Sequence, residues 1–222
     1  MKVLGIIGSP NKESGSTGKL VKAFMSVIKE KGVETEIVCF TDLKINYCVS
    51  ARQCHVTGKC VFDDDAGPLQ EKMLSCHGLV LASPLYCGQI SAQMKTLLDR
   101  SSRFFHCHML EGKYGASISV AGSSEAERAT EYMNYYLNRC GAQTVGEVCG
   151  AGTDGKFKEE EAVFAQVDGV ARELVQAMKE KRVYPEQKAL ILEHQERMKN
   201  LVVKRKEEFP WEYDLIRQKA WV

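Results

Sequence analysis

Five short apolar runs, separated by stretches with helical periodicity, constrain this chain of 222 residues more than any other feature. Val3-Leu4-Gly5-Ile6-Ile7 carries no polar residue and stops at Gly8-Ser9-Pro10, as a central parallel strand buried on both faces does. Val33, Thr35, Ile37 and Cys39 alternate as a second strand, and Gly78–Pro84, Tyr114–Ala121 and Thr144–Cys149 supply three more. Between them, Leu20, Val21, Phe24, Val27 and Ile28 recur at helical spacing until Gly32. Ser91 is placed to cap a helix with Met94, Leu97 and Leu98 on one face and a Lys95–Asp99 pair on another. Ala126, Ala129, Met133, Tyr136, Leu137 and Cys140 form a further helix closed by Gly141, and Val167 to Met178 another. This alternation predicts an α/β fold, a doubly wound parallel sheet of five strands with helices on both faces.

Ligands on such sheets bind beyond the C-terminal strand ends, which singles out the loops Gly8–Thr17, Ser83–Ile90 and Gly122–Arg128. The plan accounts for residues 1–182, except that 41–77 show no long periodic element and contain three cysteines. A structureless connection longer than ~12–15 residues in a compact domain is ordinarily functional. Residues 183–222 form an appendage. A helix runs from Pro185 towards Lys206 with Ile191, His194, Met198, Leu201 and Val202 on one face, and an aromatic tail of Phe209, Trp211, Tyr213 and Trp221 follows. Such a segment packs on its own domain or on a neighbouring subunit, and we favour the neighbour.

Charge and cysteine content narrow the function. Lys plus Arg number 30 and Asp plus Glu 29, so no net field attracts nucleic acid or an acidic membrane. No apolar run approaches the ~18–20 residues of a membrane span, and the apolar start is too short for the ~7–15 residue core of a signal peptide. Nine cysteines, about 4% of the chain, fall below the ~8–10% of a disulfide scaffold. A cytoplasmic protein with reduced thiols is expected. Cys39, Cys76, Cys140 and Cys149 lie in apolar patterns and read as core residues.

The loop Gly8-Ser9-Pro10-Asn11-Lys12-Glu13-Ser14-Gly15-Ser16-Thr17-Gly18-Lys19 is rich in hydroxyls and glycine where a strand meets a helix. Free amides and the helix dipole favour a phosphate there. Leu20 follows Lys19 where a Walker A loop needs Ser or Thr, and Gly5 and Gly8 do not make a dinucleotide fingerprint, which leaves Asp42 an isolated coincidence. A phosphomonoester is the better match, and a simple polar helix start is the alternative. The second loop sets Tyr86, Cys87 and Gly88 where a flat ring would lie.

Gly8-Ser9-Pro10 with Ser16-Thr17, followed by Ser83-Pro84-Leu85-Tyr86-x-Gly88-x-x-Ser91-Ala92-Gln93-Met94-Lys95-x3-Asp99-Arg100, resembles the NADPH-dependent FMN reductase and iron-sulfur flavoprotein group of the flavodoxin-like superfamily over roughly residues 1–150. The resemblance implies a flavodoxin-like sheet and FMN. Ser9, Asn11, Ser16 and Thr17 would hold its phosphate, Pro84, Leu85, Tyr86, Cys87 and Gly88 would line the ring, and Gly122 and Ser123 would complete the pocket. Asn11 replaces the arginine common in the group, and Gly122-Ser123-Ser124 is less glycine-rich than usual.

The segment Cys48 to Asp64 resembles the part of iron-sulfur flavoproteins whose four cysteines hold a [4Fe–4S] cluster. Cys48, Cys54 and Cys60 match three ligand places, and Ala51 occupies the fourth. The loop either keeps its shape without metal, holds a cluster with an open iron or one completed by His55, or binds zinc through Cys48, Cys54, His55 and Cys60. His106-Cys107-His108 reads as a polar segment at a helix end, with contact to metal or substrate as the alternative.

The resemblance implies an FMN-dependent oxidoreductase that takes electrons from NAD(P)H and delivers them to a small-molecule acceptor, as a homodimer or homotetramer. Flavin supplies the chemistry, and Cys87 is the one reactive side chain expected near the ring. The rival readings are an electron carrier fed by ferredoxin and an interaction domain without flavin.

Overall fold

The computed structural model describes every residue, Met1–Val222. Its centre is a parallel sheet of β1 (Lys2–Ile7), β2 (Glu34–Cys39), β3 (Gly78–Tyr86), β5 (Tyr114–Ala121) and β6 (Gln143–Thr153), in the order β2-β1-β3-β5-β6. Two two-residue strands, β4 (Gln89–Ile90) and β7 (Lys156–Phe157), fold back antiparallel on β3 and β6. Val3, Leu4, Ile6 and Ile7 of β1 are fully buried, because helices cover both faces. On one face pack α1 (Ser16–Glu30) and α7 (Glu160–Glu180), through Leu20, Phe24 and Ile28 against Val167, Ala171 and Leu174. On the other pack α3 (Ala66–Ser75), α4 (Ala92–Arg100) and α6 (Glu127–Arg139), through Met73, Met94, Leu97, Met133 and Leu137.

Strand order is reversed at β1, where the chain leaves for β2 on one side and returns through β3 on the other. The ends of β1 and β3 stay paired, Gly8 N–H donating to the Ala82 carbonyl at 2.8 Å, while the loops leaving them run to helices on opposite faces and bound the crevice in which such sheets take ligands. The two ends are bolted together. A Cβ on Gly8 would lie 2.8 Å from Cβ of Met94 and 3.1 Å from its backbone nitrogen, so only glycine permits this approach of β1 to α4.

The 41–77 stretch is not structureless. It holds α2 (Gln53–Thr57) and the ten-residue α3, whose Ala66, Leu69, Gln70 and Met73 are buried. Asp64 anchors the stretch: its carboxylate accepts both Arg100 Nη atoms at 2.8 and 2.9 Å and the amides of Asn46 and Ala66 at 2.9 and 3.1 Å.

The appendage comprises α8 (Pro185–Lys204) and α9 (Pro210–Gln218). Of the two expected placements, the structure shows the packing on its own chain. Gln187 pairs with the backbone of Thr144 in both directions, at 2.7 and 2.8 Å. Val202 and Ile216 bury Cys107 of α5 (Ser102–Cys107). Lys219 Nζ donates to the carbonyls of Cys107 and His108 at 3.0 and 2.9 Å, which caps the end of α5. His106-Cys107-His108 is therefore the last turn of a helix closed over by the tail.

Candidate functional site

A cavity of about 660 Å³ opens at the C-terminal strand ends, within the ~300–1,000 Å³ of cofactor and ligand sites. Ser9, Asn11, Ser14, Gly15, Ser16 and Thr17 line it from the first loop, Pro84, Leu85 and Tyr86 from the second, and Val120, Ala121 and Gly122 from the end of β5. Gly152, Thr153 and Asp154 complete it from the end of β6. These three escaped sequence reasoning because Gly150-Ala151-Gly152-Thr153 looks like a turn, whereas β6 stays paired with β5 as far as Ala151.

The first loop is arranged for an anion. Gly15 is the N-cap of α1 in extended backbone, and no side chain caps the amides of the first turn. Ser16 Oγ accepts the Gly155 N–H at 2.9 Å, and Ser9 Oγ accepts the Asn11 N–H at 3.3 Å. Each hydroxyl therefore keeps its own proton free to donate. No lysine or arginine lines the cavity, and Asp154 is its one carboxylate.

Ser91 fixes the second loop to the first. Its Oγ donates to the Gly8 carbonyl and accepts the Met94 amide at 3.2 Å as the N-cap of α4, while its amide donates to Ser83 Oγ at 2.9 Å. Tyr86 stands 45% exposed beside the cavity it lines. A Cβ added to Gly122 would meet no protein atom within 4 Å, so the far wall leaves room at its backbone.

Three expected residues lie elsewhere. Cys87 and Gly88 form the two-residue turn between β3 and β4, with φ of 51° and 77°, and this turn carries them out of the lining. Ser123 lines a neighbouring cavity of about 410 Å³ with Glu125, Cys149 and Lys158.

The sheet order and the anion-ready loop define a flavodoxin-like flavoprotein. Flavone reductase matches with a TM-score of 0.65 at 21% identity, over 81% of this chain and 63% of that one, and an archaeal flavodoxin with 0.54 at 14%, over 81% and 99%. Within that class the chain belongs to the NADPH-dependent FMN reductase family, whose profile matches residues 1–155. An iron-sulfur flavoprotein of Archaeoglobus fulgidus is 39% identical over 153 residues, 68% of this chain and 69% of the relative. The protein is a flavoprotein oxidoreductase.

The cavity fits FMN: uncapped amides and free hydroxyl protons face one region, and backbone-walled space faces another. The cysteine segment fits a cubane cluster less well. Cys48, Cys54 and Cys60 line one cavity of about 170 Å³, together with Ala51, whose methyl group cannot ligate. Arg100 Nη2 donates to Cys60 Sγ at 3.2 Å. His55 lines the same cavity and turns its Nδ1 to Glu212 Oε1 at 2.6 Å. The three sulfurs and His55 do not converge as a single zinc ion requires. Burial pushes the Cys54 thiol up, but the neighbouring His55 more than reverses this and leaves it below its ordinary pKa.

Proposed function

We propose that this protein is an FMN-dependent oxidoreductase that accepts hydride from NAD(P)H and passes the electrons to a small-molecule acceptor, of the flavin or quinone reductase type. FMN, once bound, supplies the redox chemistry. The chain's own residues bind and orient it. Ser9, Asn11, Ser16 and Thr17 with the amides opening α1 hold the phosphate by hydrogen bonds alone. Pro84, Leu85, Tyr86 and Gly122, which line the cavity, would hold the ring. The open mouth beside Tyr86 admits nicotinamide and acceptor in turn, and no side chain is required as acid or base.

The observation that carries this reading is the uncapped start of α1 directed into a cavity of cofactor size. A homodimer or homotetramer in the cytoplasm is part of the proposal. No helix is long and apolar enough to cross a membrane. Sedimentation analysis checks the assembly.

The test is anaerobic reduction of the FMN-loaded protein, followed by its absorbance, with NADH, NADPH and reduced ferredoxin in turn. Rapid bleaching by a nicotinamide supports the oxidoreductase. Bleaching by ferredoxin alone replaces it with an electron carrier, and failure to take up FMN removes both.

A further inference from the structure

We propose that His55, His106 and Glu212 form a site for a divalent transition metal ion, zinc being the ion their donors suit best. The three side chains come from α2, α5 and α9, which the fold alone brings together. Glu212 is fully buried, and each of its oxygens faces a different imidazole: Oε1 meets His55 Nδ1 at 2.6 Å, and Oε2 meets His106 Nδ1 at 3.0 Å. All three ligating atoms lie within 4.8 Å of one another.

Two nitrogens and one carboxylate oxygen make a zinc set with one position left open. Zinc holds such donors at ~2.0–2.2 Å, which places them roughly 3.4 Å apart in a tetrahedron. The contacts of 2.6 and 3.0 Å would widen by less than about 1 Å, and the widest donor separation, within 4.8 Å, would close by at most about 1.4 Å. Charge favours the exchange. A carboxylate with no solvent access is costly unless compensated, and one dication held by two neutral imidazoles compensates it without stacking two imidazolium rings. The rings are already aligned for this: His55 and His106 stack with centroids 5.0 Å apart at 17°, and Phe209 supports His55 at 4.6 Å.

His106 also lines a cavity of about 220 Å³ with Asp99, Ser102 and Phe105, which gives an ion a way in and a water its place as fourth ligand. None of the three ligands touches the flavin cavity, so the site stands apart from the proposed oxidoreductase activity. It also differs in chemistry from the thiol-lined cavity next to it. The bound ion would clamp the C-terminal helix onto the cysteine segment.

The test uses the full-length protein, stripped with chelator and dialysed against micromolar Zn²⁺ or Co²⁺. About one ion per chain should be retained, and cobalt should show ligand-field bands without a thiolate charge-transfer band. His106→Gln and Glu212→Gln should each weaken retention on the order of tenfold or more. The Cys48→Ala/Cys60→Ala variant should retain the ion. His106 is partly exposed, so its replacement keeps the test valid if Glu212→Gln disturbs folding; circular dichroism verifies the fold of each. No retained ion, a thiolate band, or retention lost with the cysteines and kept in His106→Gln overturns the proposal.

Discussion

The hydroxyl of Ser91 donates to the carbonyl oxygen of Gly8 at 2.5 Å, joining the first flavin loop to the second across 83 residues of sequence. Ser91→Ala removes a helix cap, worth about 1 kcal/mol, and leaves a buried carbonyl without a partner, at about 1–3 kcal/mol. Urea unfolding of the flavin-free protein should show a loss of about 2–4 kcal/mol. FMN should also bind more weakly, because both loops lose their common anchor.

In the proposed FMN site, phosphate recognition should be separable from ring recognition. Ser16→Ala and Thr17→Val each delete a donor to a charged ester, so the FMN dissociation constant should rise roughly tenfold for each, as expected for loss of about 1.5 kcal/mol. Riboflavin, which lacks the ester, should bind each variant as it binds the parent. Fluorescence quenching titrations with both flavins give the comparison.

The Asp64–Arg100 pair makes stability depend on acid. Burial alone would raise the Asp64 pKa, but the Arg100 guanidinium and the amides of Asn46 and Ala66 overcome this and hold the carboxyl far below the ordinary carboxylate range. The unfolded chain then takes up the proton first. The contribution is complete above the unfolded value of about 3.9 and drains away as pH falls below it. Arg100→Met leaves the carboxylate buried and unpaired and should cost about 3–5 kcal/mol near neutrality. Its loss of stability between pH 5 and pH 3, followed by urea midpoints, should be shallower than that of the parent.

Gly58 admits the tail. Its φ is +73°, and an added Cβ would lie 2.3 Å from the Trp211 indole, so Gly58→Ala should destabilise by about 1–3 kcal/mol and release α9 to protease. Gly112→Ala is the control: φ is +77° but the space is open, so only the backbone cost of about 1 kcal/mol should appear. Tryptophan emission should shift to the red in the first variant and not in the second.

The sheet was legible in the sequence because strands buried on both faces leave unbroken apolar runs, and the predicted strand Tyr114–Ala121 matches β5 at both ends. The first loop was legible as cavity lining because its hydroxyl and glycine residues are close in sequence. α3 was not, since ten residues starting Ala66-Gly67-Pro68 present too short an apolar stripe to stand out. The far wall of the cavity was missed at Gly152–Asp154, where Gly152 and Thr153 extend the strand by pairing with β7, which residue type alone does not signal. The contact of Glu212 with His55 spans 157 residues, so no local pattern could carry it. Cys87 was misplaced for the opposite reason: a two-residue reversal turns it outward although its neighbour Tyr86 lines the cavity.

The cavity proposed for the FMN phosphate is lined by no lysine or arginine, which bears on how the proposed cofactor would respond to salt. Mobile ions screen attraction between full charges over ~8–10 Å, whereas short hydrogen bonds to fixed amides and hydroxyls are barely touched by them. Flavin retention should therefore survive concentrated salt that strips cofactors from cationic cradles. Adenylates and other stray polyanions, with no long-range pull to gather them, should compete poorly for the same seat.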